Sequence, residues 1–369
     1  MGKVLKLFSV VLAFISVAFP IFLSEVIGGW TKKYTSPVYF RPSHIPDLSG
    51  KVSIVTGSNT GIGYETALEL ARAGSTVVLA ARSESKGSAA VERIRNEVGE
   101  KAQVHFLQLD LASLKSVSKF AQSFLKMDLS LDILILNAGV MKSPGQMYVG
   151  QAMRYGFETT EDGFEYHIGV NHIGHAHLTK LLLNKLKKSS PSRIISVSSS
   201  AEMSAPESGM RFADWNPRDG KMPSTYEDGE GYGQSKLANL MYTKELASHL
   251  NGTGITAYAV HPGVITTELT RYMIPVLEEE LQSKDIAQRT IGSLFTLLFT
   301  SSLFDVPGGA LAQLFLASAP INDLVNGGFY HPIGRHVLPS HPQASNETLA
   351  KILWDETDRA IKMKSNYKY

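Results

Sequence analysis

The sequence predicts an α/β fold: a single doubly wound parallel sheet flanked by helices, with an apolar helix at the N terminus. A β-branched run, Val52-Ser53-Ile54-Val55-Thr56, breaks into closely spaced glycines at Gly57, Gly61 and Gly63 and then into helix-forming residues from Thr66 to Ala71. Further apolar runs at 76–81, 104–109, 133–136, 193–197 and 255–260 alternate with helical patterns at 89–98 and 114–125. That alternation is the rhythm of right-handed βαβ units, whose strands read as continuous apolar runs because helices cover both faces. At 369 residues, 43% hydrophobic and 19% charged, the chain is long enough for one large domain with additions.

The N terminus departs from this pattern. From Leu7 to Ser24 no residue is charged, and Lys3, Lys6, Glu25, Lys32 and Lys33 flank the stretch. Its length just reaches that of a membrane-spanning helix. Ser16-Val17-Ala18 also suits cleavage after an apolar core, so a removed signal peptide or organelle presequence is the chief rival, and a buried helix the third reading. The expected organisation is an anchor or signal segment at 1–30, a linker at 31–50 carrying Pro37, Pro42, Pro46 and Gly50, and the main domain at 51–369. The basic residues after the stretch outnumber those before it, which places the domain in the cytosol.

The glycine turn reads as a phosphate cradle. Gly57 can take a positive φ, Gly61 lets the backbone approach an anion, and Gly63 lets helix pack on strand, with Ser58, Asn59, Thr60 and Ile62 between them. The helix N terminus that follows favours negative charge. The spacing is Gly-x-x-x-Gly-x-Gly and not Gly-x-Gly-x-x-Gly, so a simple tight turn also fits. A net charge of +2 is too small to suggest nucleic acid, and the absence of cysteine excludes disulfides, thiolate metal sites and thiol nucleophiles.

Arg82 ends the second run, where dinucleotide folds commonly carry an acid for the ribose 2′-hydroxyl. A guanidinium there can fork onto a 2′-phosphate, with Lys86 one helical turn further on; a surface arginine is the plainer alternative. Asp110 and Asn137-Ala138-Gly139 end the next two runs and face the same crevice. In Tyr232-Gly233-Gln234-Ser235-Lys236, positions i and i+4 share a helix face, so the ammonium can favour the phenolate of a tyrosine that titrates freely near pH ~10. His172, His175 and His177 resemble a metal cluster, but no carboxylate completes it. They are assigned to packing and hydrogen bonding, with no metal.

Together the glycine turn, Asp110, Asn137-Ala138-Gly139, Asn171, Ser199, Tyr232-x-x-x-Lys236 and Pro262-Gly263 with Thr267 resemble, in order, the short-chain dehydrogenase/reductase superfamily over residues 50 to 335. Thr160-Glu161-Asp162-Gly163-Phe164-Glu165, Gly169-Val170-Asn171-His172-Ile173-Gly174-His175, Ser235-Lys236-Leu237-Ala238-Asn239, His261-Pro262-Gly263 and Leu353-Trp354 are similar to the retinol dehydrogenase branch, which includes WW-domain oxidoreductases. The resemblance implies a Rossmann-type sheet and a catalytic set of Asn171, Ser199, Tyr232 and Lys236. It implies NADP(H) held by Gly57, Ser58, Asn59, Thr60, Gly61, Ile62, Gly63, Arg82, Asp110, Leu111, Asn137, Ala138, Gly139, Tyr232, Lys236, Pro262, Gly263 and Thr267.

By the family phrase the catalytic serine is the second of three, and strand alternation would turn Ser198 and Ser200 away from it. Tyr232 would be the acid/base, Ser199 would hold the substrate oxygen, Lys236 would bind the ribose and depress the tyrosine, and Asn171 would position a relay water. The implied substrate is a lipophilic alcohol or carbonyl, retinoid, steroid or lipid-like, at an endoplasmic reticulum membrane; a homodimer is left open. Additions at 142–158, 202–230 and 268–325 would shape the cleft, and the apolar stretch 291–304 is short for a membrane span. A non-catalytic cofactor-binding scaffold or sensor, and a reductase of a tetrapyrrole double bond, are the alternatives.

Overall fold

The structure, a computed structural model, describes residues 39–141, 157–217, 228–265 and 303–365. Outside them lie the expected N-terminal helix at 1–30, the first part of the linker, most of the 142–158 addition, residues 218–227 and the stretch 266–302 with Thr267. No helix among the described residues is long and apolar enough to cross a membrane.

The strands are β1 (Val52–Thr56), β2 (Thr76–Ala81), β3 (Val104–Gln108), β4 (Ile133–Leu136), β5 (Ser192–Val197), β6 (Ile255–Val260), β7 (Phe329–His331) and β8 (Arg335–Val337). They form one sheet in the order β3-β2-β1-β4-β5-β6-β7-β8. All neighbours pair in parallel except β7 with β8. The helices are α1 (Gly61–Arg72), α2 (Glu84–Val98), α3 (Leu114–Lys126), α4 (Gly174–Lys188), α5 (Asp228–His249), α6 (Val306–Ser318) and α7 (Glu347–Lys364).

Alternation along the strands divides the core between the two faces of the sheet. Ile54, Val78, Leu134 and Ile194 pack with α3, α4, α5 and α7, while Val55, Val77, Leu79, Ile135 and Ile195 pack with α1, α2 and α6. Side chains buried on both sides explain the continuous apolar runs, because neither face could carry polar residues without desolvating them. Side-chain caps set several helix starts: Ser83, Ser113, Asp305 and Asn346 each accept a hydrogen bond from a backbone N–H of the first turn. Helix α2 begins at Glu84, ahead of the apolar periodicity at Ala89, because Ser83 caps a first turn that is polar and exposed.

Within the expected linker, Phe40 and Leu48 are buried, and the Phe40 ring meets Phe315 of α6 edge-on at 5.5 Å. The chain therefore joins the core well before β1. Strand order reverses between β1 and β4, and in open α/β sheets ligands bind in the crevice outside the carboxyl ends at such a point. Gly57, Arg82, Asp110, Ala138, Ser199 and Pro262 all follow strand ends on that edge.

Candidate active site

The crevice begins with the turn between β1 and α1. Gly57 and Gly61 have φ of +67° and +61°, conformations that side chains with a Cβ rarely adopt. A Cβ on Gly63 would overlap Asn137 Nδ2 and stand 2.5 Å from Gly57 O, so only glycine lets α1 start this close to the sheet. Thr60, the N-cap of α1, makes no side-chain cap hydrogen bond, which leaves the first-turn N–H groups facing outward for an anion. Ser58 turns inward: its hydroxyl donates to Val55 O at 2.7 Å and accepts from Ala80 N at 3.2 Å. Only its backbone is left for a ligand. Asn137 Nδ2 donates to Thr56 O at 2.8 Å and Ala138 N donates to Thr56 Oγ1 at 2.9 Å, tying the end of β4 to the end of β1.

Arg82 is exposed beside this turn, and its backbone carbonyl accepts from Gln108 Nε2 at 3.0 Å. Its guanidinium forms no ion pair among the described residues. Lys86 is exposed in the first turn of α2. Asp110 uses Oδ1 on Ala112 N at 2.9 Å, so its second oxygen is the one left for a ligand donor. The Leu111 side chain is buried in the core, and it can offer a ligand only its backbone. Pro262 and Gly263 follow β6, Gly263 with a φ of +95°.

The four residues expected to do chemistry converge. A Cβ on Gly139 would lie 3.4 Å from Lys236 Nζ and 3.5 Å from Asn171 Oδ1. Asn171 sits in a π-turn, Ile168–Ile173, that leads into α4, and it is fully buried. π-Turns inside helices are rare and often mark functional sites. The Asn171 amide is committed: Oδ1 accepts from Val140 N at 2.8 Å, and Nδ2 donates to Val140 O at 3.0 Å and Ser235 Oγ at 2.9 Å. Its carbonyl accepts from His175 Nδ1 at 3.0 Å. A relay water at Asn171 therefore has to share the carbonyl or Oδ1, since both amide protons are used. On α5, Ser235 Oγ donates to Tyr232 O at 2.7 Å, so Asn171 is coupled to the tyrosine's own turn.

Ser199 lies after β5 ends at Val197, so the three serines are not a strand and alternation does not govern them. Ser198 Oγ donates to Lys236 O at 2.7 Å and Ser200 opens a 3-10 turn; Ser199 is the one hydrogen-bonded to Tyr232. Its Oγ also accepts from Ala201 N at 3.1 Å.

In the chain alone, burial dominates the electrostatics of the tyrosine. Burial pushes the Tyr232 phenol up to about 12, and the Ser199 hydrogen bond only partly offsets it. Lys236 Nζ donates to Val197 O at 3.0 Å and stands 5.6 Å from the Tyr232 ring centre. Burial lowers Lys236 itself to about 8. The phenol is thus a held proton, and the ammonium is poised near neutrality.

The three histidines serve the scaffold. His175 Nδ1 meets a carbonyl and must be the protonated nitrogen, so Nε2 accepts from Thr56 Oγ1 at 2.9 Å. His172 bridges Asn239 at 3.3 Å and Thr357 at 2.8 Å, and His177 meets Ser118 at 2.9 Å. Burial holds His172 at about 3 and His175 and His177 at about 4, so all three are neutral. Sequence reasoning missed Ser235, the Val140 backbone and Gln313 of α6, whose Nε2 donates to Ile62 O at 3.3 Å and to Thr66. Ser235 stands inside the Tyr232-x-x-x-Lys236 motif, but that spacing gives it no role, and its bond to Asn171 appears only in the fold, as do the contacts of Val140 and Gln313.

Residues 51–211 match the family model described as short chain dehydrogenase. Human retinol dehydrogenase 13 is 41% identical over 314 residues, covering 85% of each chain. Mouse retinol dehydrogenase 11 is 48% identical over 308 residues, covering 84% of this chain and 85% of its own. A crystal structure of an uncharacterised Mycobacterium paratuberculosis protein superposes with a TM-score of 0.63 at 31% identity, covering 88% of this chain and 98% of that one. The L-sorbose reductase of Gluconobacter frateurii, solved with NADPH and L-sorbose, shares the fold at a TM-score of 0.57 and 22% identity, covering 78% and 97%. The chain belongs to the short-chain dehydrogenase family, in its retinol dehydrogenase branch, and is a nicotinamide-dependent oxidoreductase of alcohols and carbonyls.

Proposed function

We propose that the protein is an NADP(H)-dependent enzyme interconverting an alcohol and an aldehyde or ketone on a lipophilic substrate. The observation that carries this reading is the meeting of Ser199, Tyr232, Lys236 and Asn171 beside a glycine turn with an uncapped helix behind it. The residues fit a dinucleotide: positive-φ glycines leave room for a pyrophosphate, and the exposed Arg82 just after β2 supports a 2′-phosphate on the ribose. Once bound, the nicotinamide supplies or accepts the hydride.

Tyr232 Oη holds the proton that a carbonyl oxygen takes up on reduction, and its high pKa keeps that proton in place near neutral pH. Ser199 Oγ, already bonded to the phenol, would hold the substrate oxygen within reach of the same proton. Lys236, near neutrality at about 8, exchanges protons readily and would bind the ribose hydroxyls. Asn171 keeps Val140 and the Tyr232 turn in register. The retinol dehydrogenases among the relatives support a lipophilic substrate. The uncharged stretch from Leu7 to Ser24 supports a membrane anchor with the domain on the cytosolic side.

The test is NADPH oxidation by the full chain in detergent with all-trans-retinaldehyde and with hydrophilic aldehydes, against Tyr232→Phe. Turnover of the apolar aldehyde that the variant loses is expected. Tight NADPH binding with no carbonyl turnover would instead make the protein a cofactor-binding scaffold.

A further inference from the structure

One buried ionisable pair that has no part in the chemistry above touches the reacting phenol. Glu165 and His167 lie at the entry to the π-turn that carries Asn171, and both are buried, 2% and 4% exposed. Glu165 Oε1 accepts from His167 N at 3.0 Å and lies 2.7 Å from His167 Nδ1, while Oε2 accepts from Ile168 N at 2.8 Å. Burial by itself would raise this carboxyl, but His167 and the two backbone N–H groups outweigh it and hold the group below the usual carboxylate range. The carboxylate has no proton to give, so His167 Nδ1 is the donor. The His167 ring then meets the Tyr232 ring edge-on, with centroids 6.0 Å apart and planes at 72°.

A carboxylate capping the π-turn accounts for the two backbone hydrogen bonds. It does not account for the third, which fixes the tilt of a ring lying against Tyr232. The phenol is pinned at its oxygen by Ser199 and at its Cα by α5, which leaves rotation of the ring plane to be set by its neighbours.

We propose that His167 is a positioning residue for Tyr232. The Glu165 carboxylate locks the imidazole through Nδ1–H, and the locked ring holds the phenol in the plane that keeps Oη on Ser199. The same carboxylate organises the turn of Asn171, so one group sets both sides of the site. This rests on Tyr232 being the acid/base, and misplacement of a reacting group by about 1 Å can cost ~100-fold in rate.

The test uses the full chain in detergent with NADPH and all-trans-retinaldehyde as the probe. His167→Phe keeps a ring and loses the bond to Glu165; His167→Asn keeps a donor and loses the ring, so either variant decides if the other fails to fold. Both should lower kcat tenfold or more while the Kd for NADPH stays within twofold. In protein labelled with ζ-¹³C-tyrosine, the Tyr232 resonance, identified by its loss in Tyr232→Phe, should move or broaden in both variants. A kcat within twofold of wild type overturns the role. So does an unmoved Tyr232 resonance, with any loss of rate then tracking loss of cofactor affinity and Tm. A wild-type protein that turns over no carbonyl refutes the proposed function alone, and the resonance still decides the positioning.

Discussion

Lys236 stands over the ring of Tyr232, with Nζ 5.6 Å from the ring centre, yet its hydrogen bond goes to the carbonyl of Val197 and not to the phenol. Burial perturbs the two in opposite senses, the phenol up to about 12 and the ammonium down to about 8. Both shifts favour the neutral forms, as desolvation does wherever a buried group's partners do not outweigh it.

Tyr232→Phe removes the held proton and nothing else that the cradle uses. The kcat for aldehyde reduction should fall by ~100-fold or more, within the range general acid catalysis supplies, while NADPH affinity changes by less than threefold. Single-turnover kinetics and fluorescence titration check the two halves, and wild-type-like turnover would remove Tyr232 from the chemistry.

Lys236→Met should stabilise the cofactor-free protein near pH 7 while abolishing activity. In the folded chain the ammonium titrates at about 8, against 10.5 for an unperturbed lysine. Between those values the unfolded state binds more protons, so wild-type stability rises with pH across that window. Below it the buried charge costs roughly 3 kcal/mol. The Met variant escapes that cost, and its advantage should close between pH 8 and pH 10.5. Calorimetry at pH 7 and pH 9.5 measures this; a lower Tm for the variant at pH 7 would contradict it.

Arg82→Asp should cut the preference for NADPH over NADH by ~100-fold or more, since charge-assisted hydrogen bonds contribute ~1.5–3 kcal/mol each. The loss should appear in apparent NADPH affinity and hardly in kcat, because the contact is remote from the reacting atoms. The ratio of kcat/KM for the two cofactors is the measurement, and a wild type that already prefers NADH would refute the assignment.

Gly63→Ala and Gly61→Ala separate space from backbone. At Gly63 the added methyl meets Asn137 and Gly57 O; at Gly61 nothing lies within 4 Å and only the φ of +61° resists. The first change should cost about 1–3 kcal/mol by overpacking and weaken NADPH tenfold or more as α1 shifts. The second should cost roughly 1–2 kcal/mol with a smaller effect on binding. Equal effects in chemical denaturation and NADPH titration would contradict this separation.

Deleting residues 1–30 keeps Phe40 on Phe315 and should release a folded, NADPH-binding protein from membranes. Retention of that truncated chain on membranes would move the anchor elsewhere, with 291–304 the next candidate.

The sheet was legible because its chemistry is one-dimensional. A strand buried on both faces is mostly apolar, so 76–81, 133–136 and 255–260 coincide with β2, β4 and β6. The site was legible where one spacing encodes one geometry, as at Gly57 to Gly63 and at Tyr232 with Lys236. It was illegible where long-range contacts decide. The π-turn at Ile168–Ile173 has no local signature, and the antiparallel strand β8 depends on the turn at Gly334, whose φ is +70°. Helix periodicity reports that Tyr232 and Lys236 share a face, not how deeply that face is buried or where Lys236 Nζ finds its acceptor.

Helix α7 packs across α5, with Leu353 and Ile361 buried, Thr357 bonded to His172 of the π-turn, and Trp354 stacked on Tyr242 at 4.8 Å. The segment that braces the catalytic turn is therefore translated long after the turn itself. A nascent chain stalled before Asn346 would carry Asn171, Ser199, Tyr232 and Lys236 and still lack the brace behind them. Loss of α7 would uncover Tyr242 and remove one of the two side-chain hydrogen bonds that hold His172 in the π-turn.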